Sequence, residues 1–199
     1  MTRRVLVAFT LALAGPGCAL ASKGEALDVR WYTPEGASRV PRLTSARAPA
    51  TTAPLRLGRV TSGSHLRERM LRRSSSGEVT FDERHRWTER PEVYVRRALE
   101  RTLFEERGMR REIASGAPTL EVEVLAFEEV VTRDGRTARI AVRTTLHDGE
   151  RVLLEETRSV SRPVSGADAP ALVRATAEAL DELASTVATS AASSLAPPP

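Results

Sequence analysis

The residues with chemistry to offer are few. His65, His85 and His147 are widely separated, and neither HxxH nor HExxH occurs, so no zinc site is expected. The chain has no GxSxG elbow, no phosphate-cradling Walker loop and no GxGxxG turn. Ser62-Gly63-Ser64-His65 sets serine beside histidine, but neighbouring residues of a strand point to opposite faces, which makes a poor dyad. Glu128-Glu129 and Glu155-Glu156 pair acid with acid, and adjacent carboxylates on a wet strand read as solvated groups. No catalytic residue, metal or cofactor is expected.

The one residue placed for a defined modification is Cys18. It closes the segment MTRRVLVAFTLALAGPGC, in which Arg3 and Arg4 precede an apolar run from Val5 to Ala14. That is the layout of a secretory signal, and the run is too short for a permanent span. A lone thiol in an exported chain has no disulfide partner, and lipid attachment would consume it. Each buried methylene adds about 0.8 kcal/mol of membrane affinity, so several acyl chains anchor a domain firmly. Gly17 is the small residue a lipobox requires before its cysteine, whereas Gly15 stands where Leu is usual and Leu13 lies two positions early. The alternative is plain cleavage near Ala19–Ala21 with Cys18 discarded.

The elements around these residues must be built with little aromatic material. The 199 residues are 41% hydrophobic and 4% aromatic, which fits one domain with a core of Leu, Val, Ile and Ala. One cysteine excludes a disulfide scaffold, and the apolar content excludes a fully disordered chain. The formal charge is +4, and Lys23 is the only lysine. Arginine is interleaved with Glu and Asp along the chain, so a solvated Arg/Glu surface is the reading and nucleic acid is not expected as a partner.

The expected organisation is a signal peptide over 1–17, a lipidated N-terminus and linker over 18–26, an α+β domain over 27–190 and a mobile tail over 191–199. Within the domain, ALDVRWYT at 26–33 reads as a strand in which Leu27, Val29 and Trp31, or Tyr32 on the other face, alternate with polar neighbours. Residues 34–54 carry prolines at 34, 41, 49 and 54 and read as a long loop. Strands are expected at 55–60 and 78–81, with Trp87 closing the second. Residues 65–73 are ambiguous between helix and strand. Pro91 to Arg107 has the clearest helical spacing, with Val95, Ala98, Leu99, Thr102 and Leu103 on one face and Gly108 as the stop. Three strands follow, over 119–131, 138–146 and 152–160, with turns at Asp134-Gly135 and Asp148-Gly149. A second helix is expected over 168–190, capped by Asp168, with Leu172, Thr176, Ala179, Leu180, Leu183 and Val187 as its stripe. The fold class is α+β, an antiparallel or mixed sheet covered on one face by two helices.

This order, with the signal and Cys18, resembles the ABC-type transport auxiliary lipoproteins of the paraquat-inducible type. The block carrying the resemblance is LRLGRV at 55–60, LRERMLRRSSSGEVTFDERHRW at 66–87 with its terminal Arg86-Trp87, and PEVYVRRALERTLFEERG at 91–108. WYT at 31–33 is similar to the family's opening strand. The resemblance implies that 66–73 is extended. It also implies an anchored periplasmic accessory that works beside an MCE-domain protein, a permease and an ATPase in moving lipids or other hydrophobic substrates. Its partners would include the membrane, through the lipid anchor, and further copies of itself in oligomeric rings. Ala19 after the cysteine favours the outer membrane, with the inner membrane as the alternative. A structural or assembly lipoprotein of the envelope is the second reading. Arg86 and Trp87 are the candidate partner contact, weighed against a Trp packed in the core beneath an Arg stem. Arg67, Arg69, Arg72 and Arg73 read as a solvated strand face paired with Glu68, Glu78 and Asp82, or as a surface for anionic head groups.

Overall fold

A computed structural model describes residues 27–34, 53–113, 116–149 and 151–196. Cys18, the signal segment and most of the proline-rich loop lie outside the described residues. The strands are β1 (Arg30–Tyr32), β2 (Pro54–Ser62), β3 (Arg69–Ser74), β4 (Val79–Trp87), β5 (Arg110–Arg111), β6 (Thr119–Thr132), β7 (Gly135–Asp148) and β8 (Arg151–Pro163). The helices are α1 (Pro91–Glu100) and α2 (Ala169–Leu195). They form an α+β fold with one mixed, eight-stranded sheet.

The long strand β6 organises the sheet. One of its edges pairs with β7 over nearly its whole length, and β7 pairs in turn with β8, all antiparallel. The other edge is shared end to end. Its first half takes β2 in parallel, Arg56 opposite Thr119 through Ser62 opposite Val124. Its second half takes β3 in parallel, Leu71 opposite Glu128 through Ser74 opposite Val131. β4 folds back antiparallel on β3, and β1 adds in parallel outside β4.

Two bulges decide which side chains face inward. On β2 the register slips between Leu57 and Val60, so both lie partly buried against the core although one is odd and the other even. On β6 the register slips between Val124 and Ala126. Leu120, Val122 and Val124 face the helices before the slip, and Phe127 faces them after it. An unbroken alternation would have sent Phe127 to the opposite face. The bulge brings it into a trio with Trp87 and Tyr94: Trp87 meets Phe127 edge-on at 5.4 Å, and Tyr94 lies nearly parallel to Phe127 at 6.2 Å.

Both helices cover one face of the sheet. Pro91 occupies the first turn of α1 and Glu92 supplies negative charge at its positive end. Tyr94, Val95, Ala98 and Leu99 are buried. The expected helix to Arg107 is α-helical only as far as Glu100; Arg101–Glu106 is a π-helical turn, in which Arg107 N–H reaches the Thr102 carbonyl at 3.0 Å. Thr102 and Leu103 stay buried through that turn, and Gly108 leaves it at φ +65°. In α2 the Asp168 carboxylate accepts from Ala171 N–H at 3.0 Å, as a cap should. The helix continues past 190 to Leu195, and Ala191 is fully buried, so the tail begins later than its Ala/Ser composition suggests. Alanines 171, 175, 177, 179, 184, 188 and 191 line much of the buried side of α2. Arg101 pairs with Asp181 and Arg107 donates to Thr189 at 2.7 Å, which ties the two helical segments together.

Leu180 is buried where the two helices meet, next to Val95, Leu99 and Val142. Leu180→Ala should cost about 2–5 kcal/mol, read as a lower urea midpoint with an unchanged slope.

Candidate functional site

The sequence-expected site residues separate on the structure. Trp87 ends β4 on the helix side of the sheet and is 3% exposed. Its backbone N–H bonds to the Glu68 carbonyl, and its ring lies among Tyr94 and Phe127. The Trp87 indole N–H is buried with no hydrogen-bond partner among the described residues. Arg86, its neighbour, points to the open face and is half-buried, its guanidinium turned onto the Asp82 and His85 carbonyls. Only Arg86 of this pair therefore presents its functional group at the surface. Beneath Trp87, the Tyr94 hydroxyl meets Thr88 Oγ1 at 2.8 Å and accepts from Glu89 N–H at 2.9 Å. Burial raises the Tyr94 phenol above its ordinary value, although these hydrogen bonds oppose the shift.

The reading of Glu128-Glu129 as wet carboxylates is wrong. Glu128 is 0% and Glu129 2% exposed at the side chain, in the middle of β6. Each is held by two arginines from the strands on either side. Glu128 points to the open face, where Arg73 of β3 reaches it at 3.0 Å and Arg139 of β7 at 2.9 Å. Glu129 points to the helix side, where Arg72 of β3 reaches it at 2.7 Å and Arg136 of β7 closes from the other flank. The reason is the pleat: consecutive residues project to opposite faces, so consecutive arginines on β3 meet consecutive glutamates on β6 in register. Arg72 and Arg73 are thereby spent internally. They do not form a solvated ladder with Glu68, Glu78 and Asp82. Glu68 pairs with Arg90 at 3.2 Å and Asp82 with His85 at 2.9 Å.

The Ser62 hydroxyl donates to Glu92 at 2.6 Å, which commits it to the start of α1. His85 and Asp82 form a couple that spacing alone did not single out. Asp82 accepts from the His85 ring and from the backbone N–H groups of Arg84 and His85. Partial burial pushes the Asp82 carboxyl up, but those three bonds outweigh it and hold the group below its ordinary value. Among the described residues, no group of three His, Cys, Asp or Glu side chains is placed to hold a metal ion. A shallow cleft of about 110 Å³ lies between Arg72, Phe81, His85, Arg136 and Leu172. It has room for a few waters. No described helix is long and apolar enough to cross a membrane.

The fold is shared with solved structures of low sequence identity. A Xanthomonas campestris protein aligns with a TM-score of 0.67 at 18% identity, over 74% of this chain and 90% of its own. An uncharacterised protein aligns with a TM-score of 0.63 at 14% identity, over 81% and 97%. A hypothetical protein of Chlamydia trachomatis aligns with a TM-score of 0.53 at 7% identity, over 72% and 98%. A comparison with curated proteins gives no match. The class is thus an α+β domain with a one-sided helical cover. Residues 38–188 match the family described as ABC-type transport auxiliary lipoprotein component, and the chain belongs to that family.

Two outcomes test the site geometry. Replacing Arg72 and Arg136 together by Ala leaves the Glu129 carboxylate on the helix side without a cation, and should cost about 3–5 kcal/mol. Glu129→Gln should cost only about 1–2 kcal/mol, because the two arginines can turn to water. Urea unfolding of the two variants measures the asymmetry. The depressed Asp82 carboxyl contributes stability that is present above its unfolded value near 3.8 and lost as pH falls through its lower folded value. Asp82→Asn should therefore flatten the acid limb of the stability profile below about pH 4, followed by circular dichroism.

Proposed function

We propose that the chain is exported by residues 1–17, lipidated at Cys18 and held on the periplasmic side of the outer membrane, where it serves an MCE-linked ABC transport system. Its contribution is to dock and position that system. The transport steps themselves, on lipids or other hydrophobic substrates, belong to the permease, the ATPase and the MCE-domain protein. The observation that carries this reading is the family match over 38–188. The sequence supports it independently through the charged start, apolar run and small-residue junction that end at Cys18.

Chemical crosslinking in the native envelope followed by affinity capture should recover an MCE-domain protein with its permease and ATPase. Recovery of none of the three would sink the transport role. Cys18→Ser should move the chain from the membrane pellet to the soluble periplasmic fraction. A variant that still pellets in high salt would remove the lipid tether from the account.

A further inference from the structure

The open face of the sheet carries an aromatic and cationic row at the end nearest the N-terminus. Trp31 on β1 stands beside Arg86 on β4, and Arg86 stands directly opposite Arg69 on β3. Trp31 is 56% exposed, and Leu27 and Val29, spaced by two along the segment entering β1, are exposed with it. This contrasts with Tyr32, which turns to the other side of the strand, 5.7 Å from the His85 ring. Like charges directly opposite one another on paired strands repel. Yet neither Arg69 nor Arg86 has a carboxylate partner among the described residues, and Arg67 nearby donates only to the Ser64 carbonyl. Of the carboxylates offered to this cluster by the sequence, Glu68 is engaged by Arg90 and Asp82 by His85. The fold thus keeps a repulsive pair next to three exposed apolar side chains.

We infer that this row lies against the bilayer, with Arg69 and Arg86 on lipid phosphates and Trp31, Leu27 and Val29 at the level of the head groups. Tryptophan favours that depth, and each arginine near an anionic surface adds about 1 kcal/mol. The inference deepens the tethered reading and rests on it for its geometry. Eight residues, 19–26, separate Cys18 from Leu27. Fully extended they reach about 30 Å, so an anchored cysteine keeps Leu27 close to the membrane. A second copy of the chain is the poorer occupant, because it would bring the same uncompensated cations and β1 offers an edge of only three residues.

The test uses the mature lipidated chain in phosphatidylethanolamine–phosphatidylglycerol vesicles with brominated acyl chains. The only other tryptophan, Trp87, is buried, so the difference between the wild type and Trp31→Phe isolates Trp31. Contact predicts about twofold quenching of the Trp31 signal with a shift to shorter wavelength. Arg69→Glu and Arg86→Glu should each abolish that quenching. With the unlipidated Cys18→Ser chain, partitioning onto the same vesicles should fall about fivefold on neutralising either arginine to Gln. A membrane-bound lipidated chain whose Trp31 stays unquenched overturns the inference and leaves the tether intact. A blue shift that grows with protein concentration without bromine quenching assigns the row to self-association and also overturns it. If Cys18 proves unmodified, the tethered reading fails, while the partition measurement still decides whether the row binds lipid.

Discussion

Two neighbouring carboxylates in the middle of β6 set the terms for the rest of the fold. Buried carboxylates are costly unless they are paired and hydrogen-bonded. Glu128 and Glu129 meet that condition only if β3 and β7 flank β6 in one register, since a slip of a single residue would turn each arginine to the wrong side. The clamp therefore specifies strand order and register in a sheet whose apolar residues are mostly interchangeable Leu, Val, Ile and Ala. It also fixes where β4 and β1 fall, because both are built outward from β3. The arginine row on the open face inherits its position from this charge network, since Arg69 shares β3 with Arg72 and Arg73 and Arg86 lies on the next strand.

The sequence was most readable where periodicity was unbroken. The stripe from Leu172 to Val187, the cap at Asp168 and the buried face of α1 all follow from spacing, and the structure places them as the pattern implies. The short strands around 55–87 were less readable, because a six-residue run with two apolar positions fits helix or strand equally well. The resemblance to the auxiliary lipoproteins resolved 66–73, which is extended from Arg69. The bulge before Ala126 was invisible, since no glycine or proline marks it, and its effect is to exchange the faces of every later residue in β6.

The same blindness hid the clamp. Acidic pairs and arginine pairs were each visible, but their partnership depends on a parallel pairing across 55 residues or more of chain, which no local pattern encodes. Trp87 illustrates the converse. Its packing inside the core was one of two readings available from its type alone, and burial among aromatic neighbours distinguishes it from Arg86, one position earlier on the opposite face. An alternating strand lets adjacent residues do unrelated work, so a dipeptide is too coarse a unit for describing a contact surface.

The alanine-lined side of α2 bears on how this domain can vary. A seam of side chains without rotamers loses almost no conformational freedom on docking, and its fit is set by the two backbones. Removing atoms there leaves little to collapse, whereas adding them at Ala179 or Ala188, both fully buried, would wedge the helix off the sheet. Drift along this seam is confined to residues of the same bulk, while the outward side of the helix can change its chemistry freely.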